Sequence, residues 1–334
     1  MSDARQSPLA RLGWIINVCF DQVGTVFFGV LIIATIKQKR LHNTCQLLIG
    51  IYAFCSLLSK LQILLPFAVF ILPGTGKIPR IYCALVQIIP IGGCMNVFSL
   101  MLVIAIDRML AIFSPIWYST RNEKKYLKLM CALSQFFPLI FVGYVIRSLI
   151  EDPFLQVQCF FPDIVGDDGQ TNIDILQLVL NFLTLFCYVL MFLKLFYDNK
   201  NGQASPQRKA VYKTLSLIMG IQLAGYTLTL LAYNIMNHIS SNFNNDQKTI
   251  INCVINCASS LSSTVEVPAL FVVSTEHRLA IKDEFRFAIS IISIIAVLLS
   301  GIYWPLVFVI IPFGTGFGIL GRCGNTSPII VQNY

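Results

Sequence analysis

Two sets of residues in this sequence have the types and spacing to do chemistry. The first is an adjacent acid and base, Asp107-Arg108, at the end of an apolar run that opens with Cys83. Such a pair can neutralise itself or release its guanidinium toward a partner, and ionisable residues at a membrane span are functional candidates by default. The simpler alternative is a helix-end pair with Arg108 reaching for the interface. The second set is three charges within apolar runs, Asp21, Lys60 and Glu266. A charge at mid-bilayer costs at least about 2.5–3.5 kcal/mol unless it is paired or hydrated. Lys60 therefore needs an acid, and the sequence offers both Glu266 and Asp21. A structural ion pair and the lining of a ligand pocket both fit. What is missing narrows the chemistry further. There is no CxxC and no HExxH, and His42, His238 and His277 lie far apart. A metal-dependent intramembrane hydrolase is disfavoured, and neither a metal nor a cofactor is expected.

The elements that must position these residues follow from composition. Of 334 residues, 56% are hydrophobic and 12% charged, against about 25% charged in a soluble chain. Mean hydropathy is +0.73. A soluble enzyme and a disordered chain are both argued against, and an all-α integral membrane protein is expected. Seven apolar runs are each long enough to span, at roughly 20 residues per span. They cover about 14–36, 44–72, 81–106, 126–146, 173–193, 214–236 and 250–273. The first is too long for the core of a signal peptide and lacks a small-residue cleavage site, so it is read as a span. Cys83 and Arg108 stand twenty-five positions apart, which on a helix is about 37 Å. That length matches a hydrocarbon core of about 30 Å plus its interfaces.

The net charge of +8 sits between the apolar runs, not on one polar face, so nucleic acid is not the expected partner and the lipid bilayer is. Lys37, Lys39 and Arg40 follow the first run; Arg121, Lys124, Lys125 and Lys128 the third; Lys194, Lys200, Arg208, Lys209 and Lys213 the fifth. The alternate loops hold only Lys77 and Arg80, Arg147, and Lys248. Because cytoplasmic loops collect Lys and Arg, a multi-pass topology with the N-terminus outside is expected, in the plasma membrane. The loop after the fourth run carries Glu151, Asp152, Asp163, Asp167, Asp168 and Asp174 against Arg147 alone. It could steer a cationic ligand, but the turn chemistry of aspartate is the simpler reading.

The run from Asp107 to Tyr118 decides between these readings. Asp107-Arg108, with Pro115 seven residues after the Arg and Tyr118 three later, resembles the Asp-Arg-Tyr region of rhodopsin-like G-protein-coupled receptors. With Leu48-Ile49-Gly50 upstream and Ser274-Thr275-Glu276-His277-Arg278 downstream, the chain is most similar to the nematode serpentine chemoreceptors of class SX. The resemblance implies a seven-transmembrane helix bundle that couples an extracellular small-molecule or peptide ligand to a heterotrimeric G protein. It implies a disulfide between Cys83 and Cys159. It implies that Arg108 leaves Asp107 to meet the G protein, with Pro115, Ile116 and Tyr118 shaping the contact and Ile116 entering an apolar pocket on the partner. The chain departs from the wider family at Phe28, Ser56, Gln135 and Tyr226, has no Pro in the fifth run, and reads Val267-Pro268-Ala269-Leu270-Phe271 in the seventh. Pro268 and Phe271 thus stand for the family's helix-seven motif, and the family's sodium site and toggle are put in doubt. The rival readings are a transporter or channel, for which the internal repeat is missing, and a receptor-like protein that does not signal.

Three regions follow: an extracellular N-terminus at 1–13, a receptor domain at 14–286, and an atypical hydrophobic extension at 287–334. Residues 287–321 carry no charge, so an eighth hydrophobic helix is physically allowed. It would place Asn325, in Asn325-Thr326-Ser327, outside as a glycosylation site. A segment lying in the membrane surface would need a charged face that is absent here. Translation past the true end of the coding sequence is the other alternative, because the resemblance stops where this segment starts.

Overall fold

The computed structural model describes residues 8–39, 42–71, 77–200, 220, 225, 227–229, 231–232, 235–236 and 245–273. The expectations for 287–321, for Asn325, and for Arg208, Lys209, Lys213 and Tyr226 lie outside these residues. Within the described residues the apolar runs form helices. α1 spans Pro8–Lys37, α2 Thr44–Leu61, α3 Leu64–Ile71, α4 Arg80–Phe113 and α5 Pro115–Thr120. α6 spans Glu123–Ser134, α7 Phe136–Glu151, α8 Phe161–Val165, α9 Asp167–Lys200 and α10 Asn245–Val273. Six stretches among the described residues are long and apolar enough to cross a membrane. Most of the run expected over 214–236 lies outside the described residues, and those of its positions that are described are helical. The architecture is the expected membrane helix bundle.

Two spans are jointed where the sequence suggested one rod. The second breaks at Gln62 and Ile63 between α2 and α3. Pro66 explains it: its ring excludes the carbonyl four residues back, that of Gln62. The freed carbonyl accepts a hydrogen bond from Gln87 Nε2 of α4 at 2.7 Å. The fourth breaks at Gln135 between α6 and α7, and Pro138 stands four residues after Ser134 in the same relation. Helix starts follow local rules. Asn43 caps α2 and Asn122 caps α6, each side chain accepting a backbone N–H at 3.1 Å. Pro115 opens α5 at its first position, where its missing N–H has no intrahelical partner to lose.

α4 is the axis of the bundle. It packs against α2, α6, α7 and α9, while α1 packs against α2 and α10. α4 is mostly buried, whereas the α6–α7 span and α9 are mostly exposed. That contrast separates a core helix from lipid-facing ones. Phe182, Phe186, Phe192 and Phe196 project outward from α9, whereas Leu100, Met101 and Ile104 of α4 are wholly buried.

Candidate functional site

One end of α4 is a clamp. Cys83 and Cys159 are disulfide-bonded, with Cα atoms 5.5 Å apart. β1 (Ile78–Pro79) pairs antiparallel with β2 (Gln156–Val157) beside the bond. Cys159 has φ 67°, a left-handed conformation uncommon for a residue other than glycine. Arg80 is buried there and donates from Nε to the carbonyl of Asp163 at 2.9 Å and from Nη1 to that of Ser148 at 3.0 Å. Ser148 lies in the last turn of α7, where a cation complements exposed helix carbonyls. Two loop acids serve the turns: Asp163 accepts the backbone N–H groups of Gln158 and Phe160 at 3.1 Å each, and Asp152 that of Phe154 at 3.2 Å. Sequence reading treated Arg80 only as a loop charge.

The other end is held by charge. Asp107 is wholly buried. Arg108 donates to its Oδ2 from Nε at 2.9 Å and also from Nη2. Tyr118, on α5, joins both: its hydroxyl accepts from Arg108 Nη2 at 2.8 Å and donates to Asp107 Oδ1 at 2.9 Å. Burial is the main reason the Tyr118 phenol is pushed above its ordinary pKa, so it stays protonated and keeps its donor role. A second guanidinium was missed from the sequence. Arg121 Nη2 lies 3.6 Å from Asp107 Oδ1, and its guanidinium carbon sits 3.2 Å from the Tyr118 ring centroid and 3.8 Å from that of Tyr126. The signal was present: Arg121 stands three residues after Tyr118, one helical turn on. Ile116, beside this cluster, is 80% exposed.

The three intramembrane charges lie among α1, α2 and α10. Lys60 bonds Asp21 Oδ1 at 2.6 Å and donates to Ser263 Oγ. Glu266, the other candidate partner, instead accepts from the Tyr52 hydroxyl at 2.7 Å through Oε2, and its Oε1 has no hydrogen-bond partner. Gly24 makes the pairing possible. A Cβ there would stand 2.8 Å from Thr264 Oγ1 and 3.3 Å from Lys60 Cε. Phe28 packs edge-on to Tyr52, with ring centroids 6.5 Å apart, and the buried Ser56 hydroxyl has no partner. Pro268 lies inside α10, as does Phe271. Among the described residues no three His, Cys, Asp or Glu side chains stand close enough to hold a metal ion.

The apolar helices and their two differently fastened ends define a multi-pass helical membrane protein. Residues 22–285 match the family model described as serpentine type 7TM GPCR chemoreceptor Srsx, and the chain belongs to that family of chemosensory G-protein-coupled receptors, which is not an enzyme family. No curated protein matches the chain.

Proposed function

We propose that this receptor lies in the plasma membrane with its N-terminus outside and couples an extracellular small-molecule or peptide ligand to a heterotrimeric G protein. The observation that carries the reading is the buried Asp107 holding Arg108 through bonds that side-chain motion alone can break. The basic residues Lys37, Lys39, Arg121, Lys124, Lys125, Lys128, Lys194 and Lys200 gather at the Asp107 end, as expected of a cytoplasmic face. An agonist held between the outer halves of the helices tilts the helix expected over 214–236 outward. Arg108 then leaves Asp107 and meets the C-terminal helix of the Gα subunit, while the exposed Ile116 enters an apolar pocket on it. Pro115 fixes the start of α5 and so the placement of Ile116 and Tyr118.

The test is nucleotide exchange on purified G protein, driven by the receptor with an agonist found by ligand screening. Arg108→Ala is expected to abolish exchange and to leave surface delivery nearly intact. Full exchange by that variant would refute the role of Arg108. A receptor whose ligand binding is demonstrated but which drives no exchange on any Gα class would refute coupling altogether.

A further inference from the structure

The disulfide end carries a groove that the coupling reading does not use. It encloses about 250 Å³ between the last turns of α7 and the start of α9, and its walls include Tyr144, Arg147, Ser148, Glu151 and Asp168. We propose that this groove binds a small organic ammonium ion.

Two carboxylates face one guanidinium, so the groove is net negative. Arg147 Nε holds Glu151 Oε1 at 3.1 Å with both side chains 62% exposed, a weak pair that water readily loosens. Asp168 is exposed, and among the described residues no cation lies within bridging distance of it. Its neighbours in the acidic loop differ, because Asp152 and Asp163 already accept backbone N–H groups.

Ser148 is 2% exposed and lines the groove, yet its hydroxyl has no hydrogen-bond partner. A buried polar group in that state costs about 1–3 kcal/mol, and a donor entering the groove relieves it. A ligand ammonium has N–H groups for both Asp168 and the Ser148 hydroxyl, and the Tyr144 ring supplies an aromatic surface of the kind that attracts cations. The volume lies below the roughly 300–1,000 Å³ of drug-sized pockets, so the ligand is a small amine. The apolar side chains of Ile146 and Ile150 on α7 are exposed nearby. Two sources supply such an ammonium, a dissolved amine and the ethanolamine head of a lipid.

The experiment uses the full chain in nanodiscs of phosphatidylglycerol and follows thermal unfolding. The probe is propylammonium chloride, compared with sodium chloride at equal ionic strength and with 1-butanol. Only propylammonium is expected to raise Tm saturably. Asp168→Asn is expected to raise the probe midpoint by about tenfold or more and Ser148→Ala by about threefold, as loss of a charged and of a neutral hydrogen bond respectively. Asp168→Glu keeps the charge and is expected to restore binding. Ser148→Ala should leave the Tm of the ligand-free receptor unchanged or higher, because it removes an unsatisfied group. No stabilisation beyond sodium chloride, or an unchanged midpoint in Asp168→Asn, overturns the proposal. So does a Ser148→Ala variant that unfolds earlier and binds the probe as before, because the hydroxyl would then be structural. Given binding, a midpoint that rises when phosphatidylethanolamine is added identifies the lipid as the source, and an unchanged midpoint identifies a dissolved amine. No G protein is present, so failure here leaves the coupling reading standing.

Discussion

The two ends of α4 are fastened by opposite means. At Cys83 the fastening is a covalent bond, a short strand pair, and an arginine set on neutral carbonyls. At Asp107 it is a carboxylate, two guanidiniums and a phenol. Arg80 and Arg108 are chemically the same side chain and behave differently because of their acceptors. The carbonyls around Arg80 belong to fixed backbone and cannot swing away. Arg108 is held by side chains that rotate about single bonds. A helix clamped at one end and held by exchangeable ions at the other can transmit displacement without losing its place in the bundle.

Substitutions at and between the ends test this contrast. The largest effect is expected between them, at Lys60. Lys60→Met leaves Asp21 charged and buried, a loss of about 3–5 kcal/mol, measurable as reduced thermal stability and surface level. Adding Asp21→Asn should recover part of it, and adding Glu266→Gln should not. Recovery with Glu266→Gln instead would mean that the ion pair joins α2 to α10. Next comes the clamp. Cys83→Ser or Cys159→Ser is expected to cost about 2–5 kcal/mol and to cut surface delivery. The double variant should be no worse than either single one, and additive losses would show that the two cysteines act separately.

Tyr118→Phe should have a smaller effect, about 1–1.5 kcal/mol for a lost buried hydroxyl. Its signature is functional: basal nucleotide exchange should rise, because Arg108 loses a partner that holds it. Unchanged basal exchange would move Tyr118 from the switch to the scaffold. Arg121→Gln should change signalling least: it costs stability, about 2 kcal/mol for a desolvated cation–π contact, because its guanidinium is buried against two rings, but basal exchange should stay below that of Tyr118→Phe. A larger rise than Tyr118→Phe would make Arg121 the main counter-ion of Asp107.

Much of this was legible in the sequence because hydrophobic length and charge placement are one-dimensional signals. The third apolar run, 81–106, became α4 over Arg80–Phe113, because the charged pair Asp107-Arg108 ends the uncharged run without ending the helix, which continues through Met109–Phe113. The cysteine pair and the Asp107–Arg108–Tyr118 grouping were also named from sequence, through the family resemblance. The joints at Gln62 and Gln135 were not, although Pro66 and Pro138 announced them, because a hydropathy run counts a proline as it counts any other uncharged residue. The partner of Lys60 was undecidable from sequence. Asp21 and Glu266 are both on helices that flank α2, and the rotation of α1 and α10 about their axes chooses between them. Arg80 and Arg121 were hidden for a different reason: each looked like one more loop charge, and only folding brings it onto distant carbonyls or a distant carboxylate.

Arg121 gives Asp107 a second counter-ion that need not leave with the first. If Arg108 swings out, the carboxylate still faces a guanidinium at 3.6 Å and the Tyr118 hydroxyl at 2.9 Å. A buried charge left with no partner is strongly destabilising, by about 3–5 kcal/mol. With Arg121 in place, the departure of Arg108 would exchange one partner for another and would not bare the charge. Freeing Arg108 then costs only the difference between two ways of holding one carboxylate, a step that side-chain rotation alone can make.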